Sequence, residues 1–171
     1  VNPRHKPIVV LLAEDDPDDR LLLKEALSES RLVTQLACVE DGEELMDYLY
    51  LRGKYALPAV SPRPHLILLD LNMPRKNGRE AISEIKADPE LRRIPIVVLT
   101  TSKAPEDIRR SYDGGANSYI TKPVTFESLA GVMETISRYW FDTVELPPLE
   151  GGAGGGHSQN NGVGDVYGQW C

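Results

Sequence analysis

The chain has 171 residues, 41% of them hydrophobic, two cysteines and a net charge of −7. This fits one compact domain with a real core and a little spare chain, excludes two full enzyme domains or a disulfide scaffold, and suits a reducing compartment. The acid excess argues against nucleic acid as a direct partner, no apolar run approaches the roughly 20 residues of a membrane span, and Val1–Pro7 lacks a signal-peptide core, so a soluble, cytoplasmic protein is expected.

In chain order, strands are expected over Ile8–Leu12, Leu32–Val39, His65–Leu69, Ile94–Leu99 and Ser118–Thr121. Continuous β-branched and apolar runs of this length suit parallel strands buried on both faces. Between them lie segments with helical spacing. Arg20 to Ser28 follows Asp16-Pro17, a cap with proline at the first helical position. Leu45, Tyr48 and Leu49 mark a second helix after Asp41-Gly42. Ala81, Ile82 and Ile85 mark a third, and Ile108, Ser111 and Tyr112 a fourth opened by Pro105. Phe126, Leu129, Val132, Met133, Ile136 and Trp140 form a stripe at three- and four-residue steps, with Thr125 as the cap. The order βαβαβαβαβα with right-handed crossovers gives an α/β fold, a five-stranded parallel sheet doubly wound by helices. Eight of the 14 glycines fall between Gly151 and Cys171, a stretch without Lys, Arg, Leu or Ile. Such a composition cannot offset its ordering entropy and reads as a flexible tail with no room for an output domain.

In such a sheet, ligands bind beyond the carboxyl ends of the strands. There stand Glu14-Asp15-Asp16 after the first strand, Asp70 after the third, Thr100-Thr101-Ser102 after the fourth and Lys122-Pro123 after the fifth. Several carboxylates at adjacent strand ends repel one another unless a cation lies between them. Oxygen donors without Cys or His nearby favour Mg²⁺ over zinc. Asp16, Asp18 and Asp19 are expected to serve only the helix start. Asp70 is a turn residue or a nucleophile, and a facing lysine and metal site favour the nucleophile, since carboxylates form aspartyl phosphates. Lys122 and the cation would spread the charge of a transferring phosphoryl group, and Thr100 would hydrogen-bond one of its oxygens.

Glu14-Asp15, Asp70, Thr100 and Lys122-Pro123, in this order and at these strand ends, resemble the receiver domain of bacterial two-component response regulators, with its flavodoxin-like (βα)5 fold. The resemblance covers about residues 8 to 140. It implies that Asp70 accepts a phosphoryl group from a sensor histidine kinase. It also implies that Asp15, Asp70 and the carbonyl of Asn72 hold Mg²⁺, with Glu14 acting mostly through a water. Lys122 would pair with the bound phosphate, and Thr100 and Tyr119 would form a switch pair. The Lys122–Pro123 bond would be cis. Such a domain hydrolyses its own acyl phosphate but turns over no external substrate, and so is not an enzyme in the usual sense. Thr101 stands where a smaller residue is common, which bears on the lifetime of the phosphorylated state.

The long proline-bearing connection Arg52–Pro64, the run from Asp70 to Glu80, and Tyr139-Trp140-Phe141 followed by 143–148 resemble the stand-alone receivers that pair with bacterial and cyanobacterial phytochromes. The implied organisation is a receiver over residues 6–140, an extension over 141–149 packing on or near the last helix, and a tail over 150–171. Three consecutive aromatics cannot share one buried helix face, so a contact surface is expected there. The resemblance implies that this surface, with the fourth helix, fifth strand and fifth helix, forms a homodimer, and phosphorylation is expected to strengthen it.

Other classes fit less well. A haloacid-dehalogenase-like phosphatase needs a second carboxylate two residues after its nucleophile, where this chain has Asn72. A flavodoxin-like cofactor binder needs a Ser-, Thr- and Gly-rich first loop, and Glu14-Asp15-Asp16 would repel phosphate. A receiver-like scaffold that signals without phosphorylation is disfavoured by the intact site residues.

Overall fold

The computed structural model describes residues 8–29 and 35–149. The expected tail, with His157 and Cys171, lies outside them, as do the first residues of the expected second strand. The strands are β1 (Val9–Ala13), β2 (Gln35–Val39), β3 (Leu66–Leu69), β4 (Ile96–Thr100) and β5 (Ser118–Thr121). The helices are α1 (Pro17–Ser28), α2 (Gly42–Leu49), α3 (Gly78–Ala87), α4 (Pro105–Asp113) and α5 (Phe126–Ser137). The strands are all parallel, in the order β2-β1-β3-β4-β5. The chain therefore leaves β1 in one direction to β2 and in the other to β3, which makes the β1/β3 boundary the switch point where doubly wound sheets take their ligands.

Alternation along the strands divides the interior in two. Leu11, Ala13, Ile67, Leu69, Ile96 and Val98 face α2, α3 and Tyr55 of the long connection. Val10, Leu12, Leu66, Leu68, Val97 and Leu99 face α1 and α5. β1, β3 and β4 are buried at every position, whereas β5 is only half-buried throughout. Each fully buried Leu or Ile stabilises the fold by about 1.5–3 kcal/mol, so the central strands hold most of the hydrophobic energy.

The helix starts follow local chemistry. Asp16 accepts hydrogen bonds from the Asp18 and Asp19 amides, Asp41 from that of Glu44, Asn77 from those of Arg79 and Glu80, and Thr125 from that of Ser128. These side chains satisfy amides that have no partner within the helix. The long connection is ordered by its tyrosines: the Tyr48 hydroxyl donates to the Pro62 carbonyl at 2.9 Å, and the Tyr48 and Tyr55 rings meet edge to face at 5.1 Å.

The fourth helix forms where its spacing predicts, opened by Pro105, although only Ser111 of it is buried and Tyr112 is 48% exposed. One element departs from expectation. The stripe read through to Trp140 ends as an α-helix at Ser137, where the chain widens into a π-helical turn over Arg138–Thr143. The wider turn changes which residues face inward. Phe141 is buried against the α1/α5 core, Trp140 and Leu146 pack beside it partly buried, and Tyr139 stays 52% exposed with its ring against Trp140.

Candidate functional site at the carboxyl ends of β1, β3, β4 and β5

Backbone hydrogen bonds set the site side by side. Ala13 of β1 pairs with Leu69 of β3, so Glu14 and Asp70 leave adjacent strands at one level. The Asp70 amide donates to the Ala13 carbonyl at 3.0 Å and the Glu14 amide to the Val39 carbonyl at 3.0 Å. Across β4, Thr100 pairs with Thr121, and the Lys122 amide donates to the Thr100 carbonyl at 2.8 Å. Four strand ends thus bring Glu14, Asp15, Asp70, Thr100 and Lys122 to one rim, as the sequence predicts.

Lys122 occupies the centre. Its ammonium donates to Glu14 Oε2 at 2.5 Å and to Asp19 Oδ2 at 2.8 Å, and lies 3.5 Å from Asp70 Oδ2. Burial works against its charge, but the hydrogen bonds to Asp19 and Glu14 and the charges of Glu14 and Asp70 outweigh it and raise its pKa. Burial pushes the Glu14 carboxyl up to about 7, against the pull of Lys122, with the neighbouring charge of Asp70 adding to the rise. Glu14 also accepts from the Asp16 amide at 3.1 Å, and its backbone carbonyl accepts from Arg20 Nη1 at 2.9 Å.

Asp19 is the residue that sequence reasoning missed. It does follow the Asp16 cap, as expected, but one turn into α1 its carboxylate also reaches Lys122. The available signal was its place on the first turn after Asp16, which faces the strand ends. Nothing local marked a partner 103 positions away.

Glu14, Asp15 and Asp70 can each offer one oxygen, all within 4.8 Å of one another; Glu14 and Asp70 are buried and Asp15 is exposed. Glu14, Asp19 and Asp70 share the ammonium of Lys122, and with Asp15 beside them the rim carries an excess of negative charge that a hard divalent cation would balance. The donors are oxygens only, which fits Mg²⁺ or Mn²⁺ better than a softer metal. Asn72 is exposed, and its amide donates to Asp70 Oδ1 at 3.3 Å.

The Thr100 hydroxyl is fully buried and has no hydrogen-bond partner. Buried hydroxyls are rarely left so, because the lost hydration costs about 1–3 kcal/mol. Tyr119, half-buried, packs against the α2/α3 core and donates its hydroxyl to the Ser102 carbonyl at 2.9 Å. The resemblance implied a cis Lys122–Pro123 bond. Among the described residues there is no cis peptide, so this bond is trans, the form that X–Pro bonds favour by about 0.5–1 kcal/mol.

Comparison with known proteins identifies the fold and the family. Response regulator Rcp1 of Synechocystis sp. is 44% identical over 141 residues, 82% of this chain and 94% of the relative. Its Mn²⁺-bound crystal structure superposes with a TM-score of 0.76, covering 83% of this chain and all of that one. The phosphorylated cyanobacterial phytochrome response regulator RcpA superposes at 0.78 with 44% identity, covering 84% of this chain and 100% of that one. Response regulator RPA3017, described in red light signaling of R. palustris, superposes at 0.78 with 33% identity over 82% of this chain and 99% of that one. Residues 10–134 match the response regulator receiver domain family. With the family match spanning most of the chain and the sheet superposing on these structures, the chain belongs to the response regulator receiver family, whose function is phosphorylation-based signalling.

Proposed function

We propose that Asp70 is the phosphoryl acceptor of this receiver and that its donor is a sensor histidine kinase of the phytochrome type. The observation that carries this reading is the convergence at one rim of the Asp70 carboxylate, the Lys122 ammonium 3.5 Å away and the buried, unpartnered Thr100 hydroxyl. The phytochrome link is supported by the relatives described for cyanobacterial phytochrome and red-light signalling.

An Asp70 carboxylate oxygen attacks the phosphorus of a phosphohistidine. The new O–P bond forms as the P–N bond breaks, and the electron pair returns to the leaving imidazole. Glu14, Asp15, Asp70 and the Asn72 carbonyl would hold Mg²⁺, Glu14 mostly through a water, and the bound ion supplies positive charge to the phosphoryl oxygens. Lys122 exchanges its contact with Asp70 for one with a phosphoryl oxygen. The Thr100 hydroxyl gains its missing partner by donating to another. That shift carries the 101–102 backbone, to which Tyr119 is hydrogen-bonded through Ser102. Attack of water on phosphorus later breaks the O–P bond, restores the Asp70 carboxylate and releases inorganic phosphate. Thr101, exposed at the mouth, influences that step.

We further read the chain as a cytoplasmic signalling protein that acts by association rather than by contact with nucleic acid. Among the described residues no helix is long and apolar enough to cross a membrane. The exposed Tyr139, on the turn after α5, would lie in a homodimer contact that phosphorylation strengthens. The test is incubation of the full chain with acetyl phosphate and Mg²⁺, and with a phytochrome kinase under red and far-red light. Label on the wild type that disappears with Asp70→Asn is expected. An unlabelled wild type, or label that survives the substitution, overturns the reading.

A further inference from the structure

The loop between β3 and α3 carries Asp70 and Asn72. Leu71 and Met73 anchor it in the α2/α3 core and Lys76 pairs with Glu84 of α3, but its turn-forming crest is exposed at Pro74 and Arg75. Three further contacts fix its two ends and its crest, and two of them come from the start of α2, which reaches none of the reacting groups. At the near end, the Gly78 amide donates to the Leu71 carbonyl at 2.9 Å. A Cβ on Gly78 would overlap the Asp70 carbonyl oxygen and sit 2.8 Å from Leu71 Cα, so only glycine lets the start of α3 lie against the acceptor's own backbone. At the far end, the Gly42 amide donates to the Lys76 carbonyl at 3.0 Å, and a Cβ there would overlap that oxygen. Between them stands Arg75, held in the left-handed region at φ 62° although it is not glycine. Such a conformation costs about 1–2 kcal/mol and persists only where other contacts enforce it. The enforcing contact is the ion pair of the Arg75 guanidinium with Asp41, whose side chain is 1% exposed and whose other oxygen caps α2 through the Glu44 amide at 2.8 Å.

We propose that Asp41 and Arg75 are positioning residues for the acceptor loop. By tying the crest of the loop to the start of α2, they hold Asp70 and Asn72 in the arrangement that binds a divalent cation, and they touch neither cation nor phosphoryl group themselves. The ion pair is the adjustable member of the clamp, because the two glycine contacts are backbone to backbone. Arg75 is 63% exposed, so its removal leaves no core cavity. This inference rests on the proposed Asp70 site.

The test measures Mg²⁺ binding to the full-length protein by calorimetry with no phosphoryl donor present, together with thermal melting in EDTA. Arg75→Ala is expected to weaken Mg²⁺ binding about tenfold, as loss of a group supporting a metal ligand does, while melting in EDTA changes little. Arg75→Lys, which keeps the charge, should recover most of the affinity. Asp41→Asn keeps the capping oxygen and removes the charge. It should weaken binding by a similar factor, and the double variant Asp41→Asn/Arg75→Ala should be no worse than either single one. Wild-type affinity in Arg75→Ala, or fully additive losses in the double variant, overturns the clamp. Phosphorylation of Asp70 from acetyl phosphate is followed in parallel. A wild type that binds Mg²⁺ but takes no label counts against the acceptor reading, whereas a labelled wild type with an unaffected Arg75→Ala counts against the clamp alone.

Discussion

The two halves of the sheet are built differently. Around β1 and β3, every strand residue is buried, the neighbouring helices α2 and α3 start on side-chain caps, and the β3–α3 loop is tied back by glycine contacts and an ion pair. Around β5 and α4, the strand is half-buried, the helix buries only Ser111, and α4 begins at Ala104 with no side-chain cap. What holds α4 is mostly polar. Asp107 accepts from Arg79 of α3 and from the Ser102 hydroxyl at 2.6 Å, and the Tyr112 hydroxyl accepts from the Tyr119 amide at 3.2 Å. Hydrophobic burial fixes geometry because it is lost all at once. Exchangeable polar contacts near water differ little in free energy between arrangements. The half that bears the carboxylates is therefore stiff, and the half that would report on them is soft.

The most direct way to break this comparison is to truncate matched residues. Ile67→Ala in β3 should lower global stability by about 4 kcal/mol, and Ile120→Ala in β5 by about half as much or less, both read by chemical denaturation. Equal losses would mean that β5 is as firmly built as β3. Next, Lys122→Met leaves the buried Glu14 and Asp70 without their cation. We expect a loss of about 3 kcal/mol in EDTA, with part of it recovered on adding Mg²⁺, which binds only the folded site. A smaller effect, under about 1 kcal/mol, is expected from Asp107→Asn. Amide exchange should then quicken over 102–113 while the central strands stay protected. The pH dependence sharpens this prediction. The Ser102 hydroxyl and Arg79 hold the Asp107 carboxyl below the usual carboxylate range. Its contribution is thus full above the unfolded pKa of about 3.9 and is lost as pH falls through the lower folded value. The gap between wild type and Asp107→Asn should close on acidification. Smallest for stability is Tyr139→Ala, expected to leave the melting midpoint almost unchanged while weakening self-association in sedimentation.

Elements of both halves were legible in the sequence. Ile8–Leu12 and His65–Leu69 announce buried parallel strands through continuous apolar runs, and Asp16, Asp41 and Thr125 announce helix starts through local chemistry. The carboxylates and Lys122 could be placed because strand ends are where an open sheet presents its ligands. In the soft half the span of β5 and the start of α4 at Pro105 were legible too, but the helical spacing of Ile108 and Tyr112 does not tell how little lies beneath them. Other features depend on contacts that no local pattern encodes. The pairing of Asp19 with Lys122 spans most of the domain. The left-handed Arg75 pairs with Asp41, the cap residue of α2. Phe141 turns inward because the chain widens after Ser137, which aromatic spacing alone does not reveal.

The reach of Lys122 to Glu14 spans 108 positions, and this has a consequence for how the protein is made. A chain emerging from the ribosome presents Glu14, Asp15, Asp19 and Asp70 well before the lysine that neutralises them. Until β5 lies down beside β4, the acidic rim is incomplete and repels itself. The edge strand, least buried of the five, thus completes the pocket, and a polypeptide interrupted before it would display the acceptor without the means to use it.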